Sequence, residues 1–222
     1  MRMRILAALF FVAVAVPSEA VVRRAFITSV TGSGNISTWP GASGATVLDK
    51  ADAVCRARAA AALPAPLPNA ATYRAWISTS DTDAYCHVQG VVGQKATGCG
   101  GGTLPGGGPW YLANGITPFT ASLDELANEP YAIYRPLFVD ENSDEIVEGS
   151  LLTGTFFVGS AVPNKTCNDW TSASAALSLS AGNSSASAYQ WSGNSIIGCD
   201  QALHLLCLEP GTGTGPNLTW VP

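Results

Sequence analysis

The six cysteines of this 222-residue chain, Cys55, Cys86, Cys99, Cys167, Cys199 and Cys207, limit its fold more than any other feature. They follow an export-type leader. Met1-Arg2-Met3-Arg4 supplies a positive start, Ile5 to Val16 is an unbroken apolar run, and Pro17-Ser18-Glu19-Ala20 ends on small residues of the kind a signal peptidase reads. The apolar run is about a dozen residues, short of the roughly 20 that a membrane span needs. Residues 1–20 are therefore predicted to be a signal peptide cleaved after Ala20. An even cysteine count behind such a leader reads as a disulfide framework. The mature chain is expected to be secreted and soluble, with no membrane insertion.

The rest of the chain suits one domain, residues 21–209, followed by a flexible tail at 210–222 whose Gly-Thr-Gly-Thr-Gly-Pro run has no pattern that could fold. The net charge is −5, and no cluster of Lys or Arg interrupts the acidic balance. Nucleic acid binding needs such clusters, so it is not expected. Heparin and anionic membranes are disfavoured for the same reason. Oligomeric state is not legible.

Local patterns suggest an α+β chain. Arg24 to Val30 reads as a first strand by its β-branched and aromatic content. Thr46-Val47-Leu48-Asp49 fits a capping box at the start of a helix. On that helix Leu48, Ala51, Cys55 and Ala59 share one face, while Asp49, Asp52 and Arg56 share a polar one. Pro64, Pro66 and Pro68 end it. Tyr73 to Ser78, Trp110 to Leu112, Leu151 to Phe157, Ala188 to Trp191 and Ala202 to Leu208 read as strands, and Ser122 to Leu126 as a short capped helix. Cys86 to Cys99 brackets a small excursion. Ser172 to Ser187, rich in Ser and Ala, reads as a surface loop.

These pieces occur in an order that resembles a known family. A helix cysteine (Cys55), a Trp76-Ile77 strand and the closure Cys199 to Cys207-Leu208-Glu209 resemble the C-type-lectin-like fold. Arg24-Ala25-Phe26-Ile27-Thr28-Ser29, Ala51-Asp52-Ala53-Val54-Cys55, Tyr73-Arg74-Ala75-Trp76-Ile77-Ser78, Leu152-Thr153-Gly154-Thr155, Cys167-Asn168-Asp169-Trp170-Thr171-Ser172 and Leu205-Leu206-Cys207-Leu208-Glu209 are similar to the secreted bacterial domains that include the leptospiral endostatin-like proteins. The resemblance implies mixed antiparallel sheets, one main helix, a long loop region and three disulfides. It pairs Cys55 with Cys207 and Cys167 with Cys199; Cys86 and Cys99 then remain, at a spacing that suits a local hairpin.

Sugar-binding members of the C-type lectin fold hold Ca²⁺ through a carboxylate-Pro-Asn motif and a Trp-Asn-Asp motif. This chain has Val162-Pro163-Asn164 and Trp191-Ser192-Gly193-Asn194, which lack the charged ligands. Asp140, Asn142 and Asp144 are a second metal candidate, with the spacing that opens an EF-hand loop, but Glu145 stands where the loop's glycine belongs. A solvated acidic hairpin explains them better. The expectation is no cofactor, with Ca²⁺ as the alternative.

Trp110, Trp170, Tyr189 and Trp191 could stack on sugar rings or anchor a protein partner. Trp76, Trp170 and Trp191 also read as structural, whereas Trp39 and Trp110, beside Gly and Pro, are expected to be the more exposed. The candidate ligand-binding set is Trp110, Asn164, Asn168, Asp169, Trp170 and Tyr189. His87 and His204 are the only histidines, and neither a nucleophile elbow nor a phosphate loop is present. The sequence therefore predicts a non-catalytic module that binds an extracellular glycan or a host or matrix protein, with a contact surface at about residues 155–198. A structural surface or matrix protein and an extracellular hydrolase are the alternatives.

Overall fold

A computed structural model describes residues 21–147 and 149–215; the leader, Glu148 and residues 216–222 lie outside the described residues. Among the described residues ten strands and three short or medium right-handed helices follow one another, with a fourth, left-handed turn at Cys167–Trp170. β1 (Arg23–Ile27) comes first, then α1 (Val47–Ala61), β2 (Arg74–Ala75) and α2 (Ala84–His87). β3 (Gly107–Gly108), β4 (Trp110–Leu112), β5 (Pro118–Thr120) and α3 (Leu123–Ala127) form the middle. β6 (Ser150–Leu152), β7 (Ser178–Asn183), β8 (Ser195–Gly198), β9 (His204–Leu208) and β10 (Gly211–Thr212) close the chain. The class is α+β with one main helix.

One mixed sheet organises these elements, in the order β5-β4-β1-β9-β6-β7-β8, with β2 also paired to β9. β9 is its centre. It pairs antiparallel with β1 through Phe26 and Cys207, antiparallel with β2 through Ala75 and Cys207, and parallel with β6 through Leu152 and Leu205. Such a strand is covered on both faces, so Leu205, Leu206, Cys207 and Leu208 form a continuous buried run with no alternation.

α1 starts as its sequence dictates. The Thr46 hydroxyl accepts the amide of Asp49, and the Asp49 carboxylate accepts the amide of Thr46, so two orphan donors of the first turn are satisfied. Its buried face carries Ala51, Val54, Cys55 and Ala59. Asp52 departs from the expected polar face: it is buried. Its Oδ1 accepts the amide of Ala75 at 2.9 Å and lies 2.8 Å from His87 Nε2, so one carboxylate ties α1 to β2 and α2. A buried carboxylate is tolerable only with partners of this kind.

The three disulfides are Cys55–Cys207, Cys86–Cys99 and Cys167–Cys199, the pairing that the resemblance implies. They point to an oxidising environment. The first joins α1 to β9 across the core. The second closes an excursion built from α2 and a 3₁₀ turn at Lys95–Thr97, not a β-hairpin. No helix among the described residues is long and apolar enough to cross a membrane.

Further sequence expectations change. The strand read at Leu151 to Phe157 stops at Leu152, because Gly154 takes positive φ. Ser178–Asn183, inside the stretch read as a loop, is β7, and Leu179 and Ala181 are buried. Its small side chains answer close packing: a Cβ on Gly182 would lie 2.2 Å from the carbonyl oxygen of Trp191. Ala188 to Trp191, read as a strand, is a turn, in which Tyr189 takes φ 72° and so cannot be extended. Residues 210–215, expected to belong to a flexible tail, take part in the fold. β10 pairs with β3, and the amide of Val21 donates to the Thr214 hydroxyl while the amide of Thr214 donates to the Val21 carbonyl. The first and last described segments therefore meet.

Candidate functional site

The long excursion between β6 and β9 is fixed at its base by a backbone feature that no ordinary helix or turn accounts for. Cys167, Asn168, Asp169 and Trp170 all have positive φ, at 53°, 55°, 48° and 60°. Asn and Asp enter this region readily, but Cys and Trp do not, and each residue costs about 1–2 kcal/mol there. The surroundings hold the turn in place. Cys167 is bonded to Cys199, and the Trp170 indole is fully buried with its Nε1 donating to the Ser78 carbonyl at 2.7 Å. The Trp170 amide donates to the Thr166 carbonyl at 2.7 Å. Two glycines leave the room: a Cβ on Gly34 would lie 2.4 Å from Cys167 Sγ, and one on Gly154 would lie 2.6 Å from the Trp170 ring.

The turn forms one wall of a cleft of about 680 Å³. Asn164, Asn168 and Asp169, three of the predicted ligand residues, line it together with Ser80, Asp83 and Gln94. Val162, Pro163 and Leu177 supply the apolar part. Both carboxylates are committed to the fold. Asp169 accepts the Ser80 amide at 2.8 Å, the Ser80 hydroxyl at 2.6 Å and the Thr166 hydroxyl at 3.1 Å. Asp83 accepts the amides of Ala161 and Lys95, each at 2.7 Å. The Asn164 and Gln94 amides make no side-chain hydrogen bond among the described residues, and Asn168 donates only to the Thr171 hydroxyl, at 3.0 Å. The groups available to a ligand are thus neutral amides above an apolar wall. They can recognise hydroxyl and amide groups.

Other candidates lie elsewhere. Trp110, expected to be exposed, is 1% exposed, and its Nε1 donates to the Glu209 carbonyl at 2.7 Å. Trp39 is also buried, with its Nε1 bonded to the Ser33 carbonyl. The reason is common to both. A Cβ on Gly107 would lie 2.5 Å from the Trp110 ring, and one on Gly32 would lie 2.3 Å from the Trp39 ring. The neighbouring glycines make room for the indoles instead of exposing them. Trp170 and Trp191 are core residues, and Ser192 is buried beneath the Trp76 indole, whose Nε1 donates to its hydroxyl. Tyr189 is 57% exposed and packs against Tyr131 and Phe157, two residues with no sequence signal beyond a place in Pro- and Gly-containing loops.

The acidic loop is not a solvated hairpin at its root. Asp140 and Glu141 are buried. Asp140 Oδ1 accepts the amides of Asn142 and Asp144 at 2.8 and 3.0 Å, while Asn142 Oδ1 turns to the amide of Leu63 at 2.9 Å. Two of the three predicted side chains, Asp140 and Asn142, thus shape the loop. Glu141 accepts the Ser29 amide at 2.9 Å and is paired with Arg58 of α1. Among the described residues, no group of three or more His, Cys, Asp or Glu side chains could hold a metal ion. His204 Nδ1 lies 2.6 Å from the Thr28 carbonyl oxygen, within the sheet.

The chain matches no protein-family model, and no curated protein sequence matches it.

Proposed function

We propose that this chain is a secreted, non-catalytic binding module of C-type-lectin-like, endostatin-like architecture, which takes an uncharged extracellular glycan or protein ligand on its long-loop face. One observation carries the reading: the cleft gathers Asn164, Asn168 and Asp169 from a base held by a disulfide, a buried indole and a satisfied carboxylate, and leaves neutral amides at its mouth. A site fixed in advance loses little ordering entropy on binding. The volume of about 680 Å³ is that of ordinary ligand sites. The architecture is supported by the disulfide from α1 to β9, the pairing of β1 with β9, and the long excursion preceding β9.

The test is a glycan and matrix-protein array with the wild-type chain, Asn164→Gly and Asn168→Gly. Both positions have positive φ, so glycine removes the amide without strain. Specific hits that both variants lose support the reading. Hits that survive both variants refute the cleft, and an array without hits favours a structural role for a domain stapled by three disulfides. Turnover on a panel of hydrolase substrates would favour an enzyme.

A further inference from the structure

We propose that Tyr131, Phe157 and Tyr189 form a stacking platform for a neutral, gluco-configured pyranose, whose hydroxyls reach the adjoining cavity at Glu125. The three rings come from three separate loops. Their centroids lie 5.1 Å (Tyr131–Phe157), 5.5 Å (Tyr131–Tyr189) and 5.0 Å (Phe157–Tyr189) apart, tilted or edge-to-face. This is a mutually braced cluster at the surface, with Tyr189 57% exposed. Tyr131 and Tyr189 both hold positive φ, at 55° and 72°. A bulky residue is rarely found there, and strain of this kind concentrates at ligand sites.

A second observation points to the ligand. A cavity of about 590 Å³ adjoins the platform, lined by Glu125, Tyr131, Ile133, Tyr134 and Ser187 among others. The Tyr134 hydroxyl donates to Glu125 Oε2 at 3.4 Å, and Glu125 Oε1 has no hydrogen bond among the described residues. The surface therefore combines flat apolar rings with a carboxylate acceptor at their edge. A gluco-configured pyranose has matching parts: its axial C–H groups form a flat apolar face, and its equatorial hydroxyls point outward as donors. An anionic sugar would meet Glu125 and a chain of net charge −5, and is disfavoured.

The inference deepens the binding-module reading but uses none of the cleft residues, so the two can fail separately. Loop 155–163 gives Phe157 to the platform and Ser160 to Pro163 to the cleft. Cellotetraose and chitotetraose are the probes, with a sulfated heparin tetrasaccharide as the anionic control. Saturation-transfer NMR and calorimetric titration are run on wild type, Tyr189→Ala, Tyr189→Leu, Tyr189→Phe and Asn164→Gly. The expected result is binding of at least one neutral tetrasaccharide and none of the sulfated one. Tyr189→Ala and Tyr189→Leu should each weaken binding about tenfold, the loss typical of an anchoring aromatic. Tyr189→Phe keeps the ring and should bind as wild type does; Asn164→Gly reports whether the cleft takes part. Tyr189→Leu keeps apolar packing without a flat ring, so it still separates stacking from packing if the alanine variant melts early. The proposal is overturned if neither neutral tetrasaccharide binds at millimolar concentration, or if Tyr189→Leu binds like wild type. Loss on Asn164→Gly alone would place the sugar in the cleft and overturn it equally.

Discussion

Removing the Cys55–Cys207 bond should cost this fold about 2 kcal/mol more than removing Cys86–Cys99. The perturbation is a pair of double variants, Cys55→Ala/Cys207→Ala and Cys86→Ala/Cys99→Ala, each leaving the other two bonds intact. The bonded residues are 152 positions apart in the first case and 13 in the second. On the chain-entropy account these separations correspond to about 5 and about 3 kcal/mol of constraint on the unfolded chain. All four cysteines are buried, so the loss of a sulfur atom's packing enters both variants and largely cancels in the difference. Equilibrium urea unfolding, extrapolated to zero denaturant, measures it. With a slope of about 2 kcal/mol per M, the midpoints should lie about 1 M apart. Coincident stabilities, or a larger loss from the Cys86–Cys99 variant, would show that loop length does not govern the contribution of these bonds.

Three further outcomes are expected. Hydrogen bonding to Thr46 holds the Asp49 carboxyl below its ordinary value of 3.8, so its stabilising effect is fully present above that pH and fades as the pH falls through the lowered value; Asp49→Ala should therefore lower the melting temperature at pH 7, with the gap to wild type closing as the pH falls through the lowered value. Glu209 is fully buried and accepts from Arg23 at 2.7 Å, the Arg24 amide at 3.1 Å and Asn69 at 2.7 Å; Glu209→Gln should destabilise by about 3 kcal/mol in urea unfolding, because Arg23 loses its counter-charge. The Tyr73 hydroxyl is buried without a hydrogen-bond partner among the described residues, and burial, then the Glu209 charge, pushes its pKa upward; Tyr73→Phe should leave stability unchanged or raise it by about 1 kcal/mol, and a loss of that size in calorimetry would contradict the unpaired state.

What the sequence discloses here is local chemistry with a fixed spacing. The Thr46–Asp49 box and the apolar face through Cys55 are each set by neighbours within two turns, and both are in the structure as read. The strand through Cys207 is legible because a doubly covered strand is apolar from Leu205 to Leu208. The misread features depend on distant partners. Asp52 looks like a surface residue until Ala75 and His87 arrive to satisfy it. β7 reads as a loop because its small side chains fit under the backbone at Trp191, a contact invisible along the chain. At the candidate site, Asn168 and Asp169 are visible as a motif beside Cys167. The participation of Ser80 and Asp83 is not, since neither residue type nor spacing announces a contact across some 80 positions.

The meeting of Val21 with Thr214 has a mechanical consequence. A force applied to the two ends of the described chain would enter at one place, and the Cys55–Cys207 bond would take it up once the segments outside the two cysteines had given way. Everything between those cysteines, the cleft and the aromatic platform included, lies inside a covalent ring that tension at the ends cannot draw out. The chain in that position stays covalently enclosed under load, and Val21 and Thr214 lie close enough to be joined to a host loop without stretching β1 or β9.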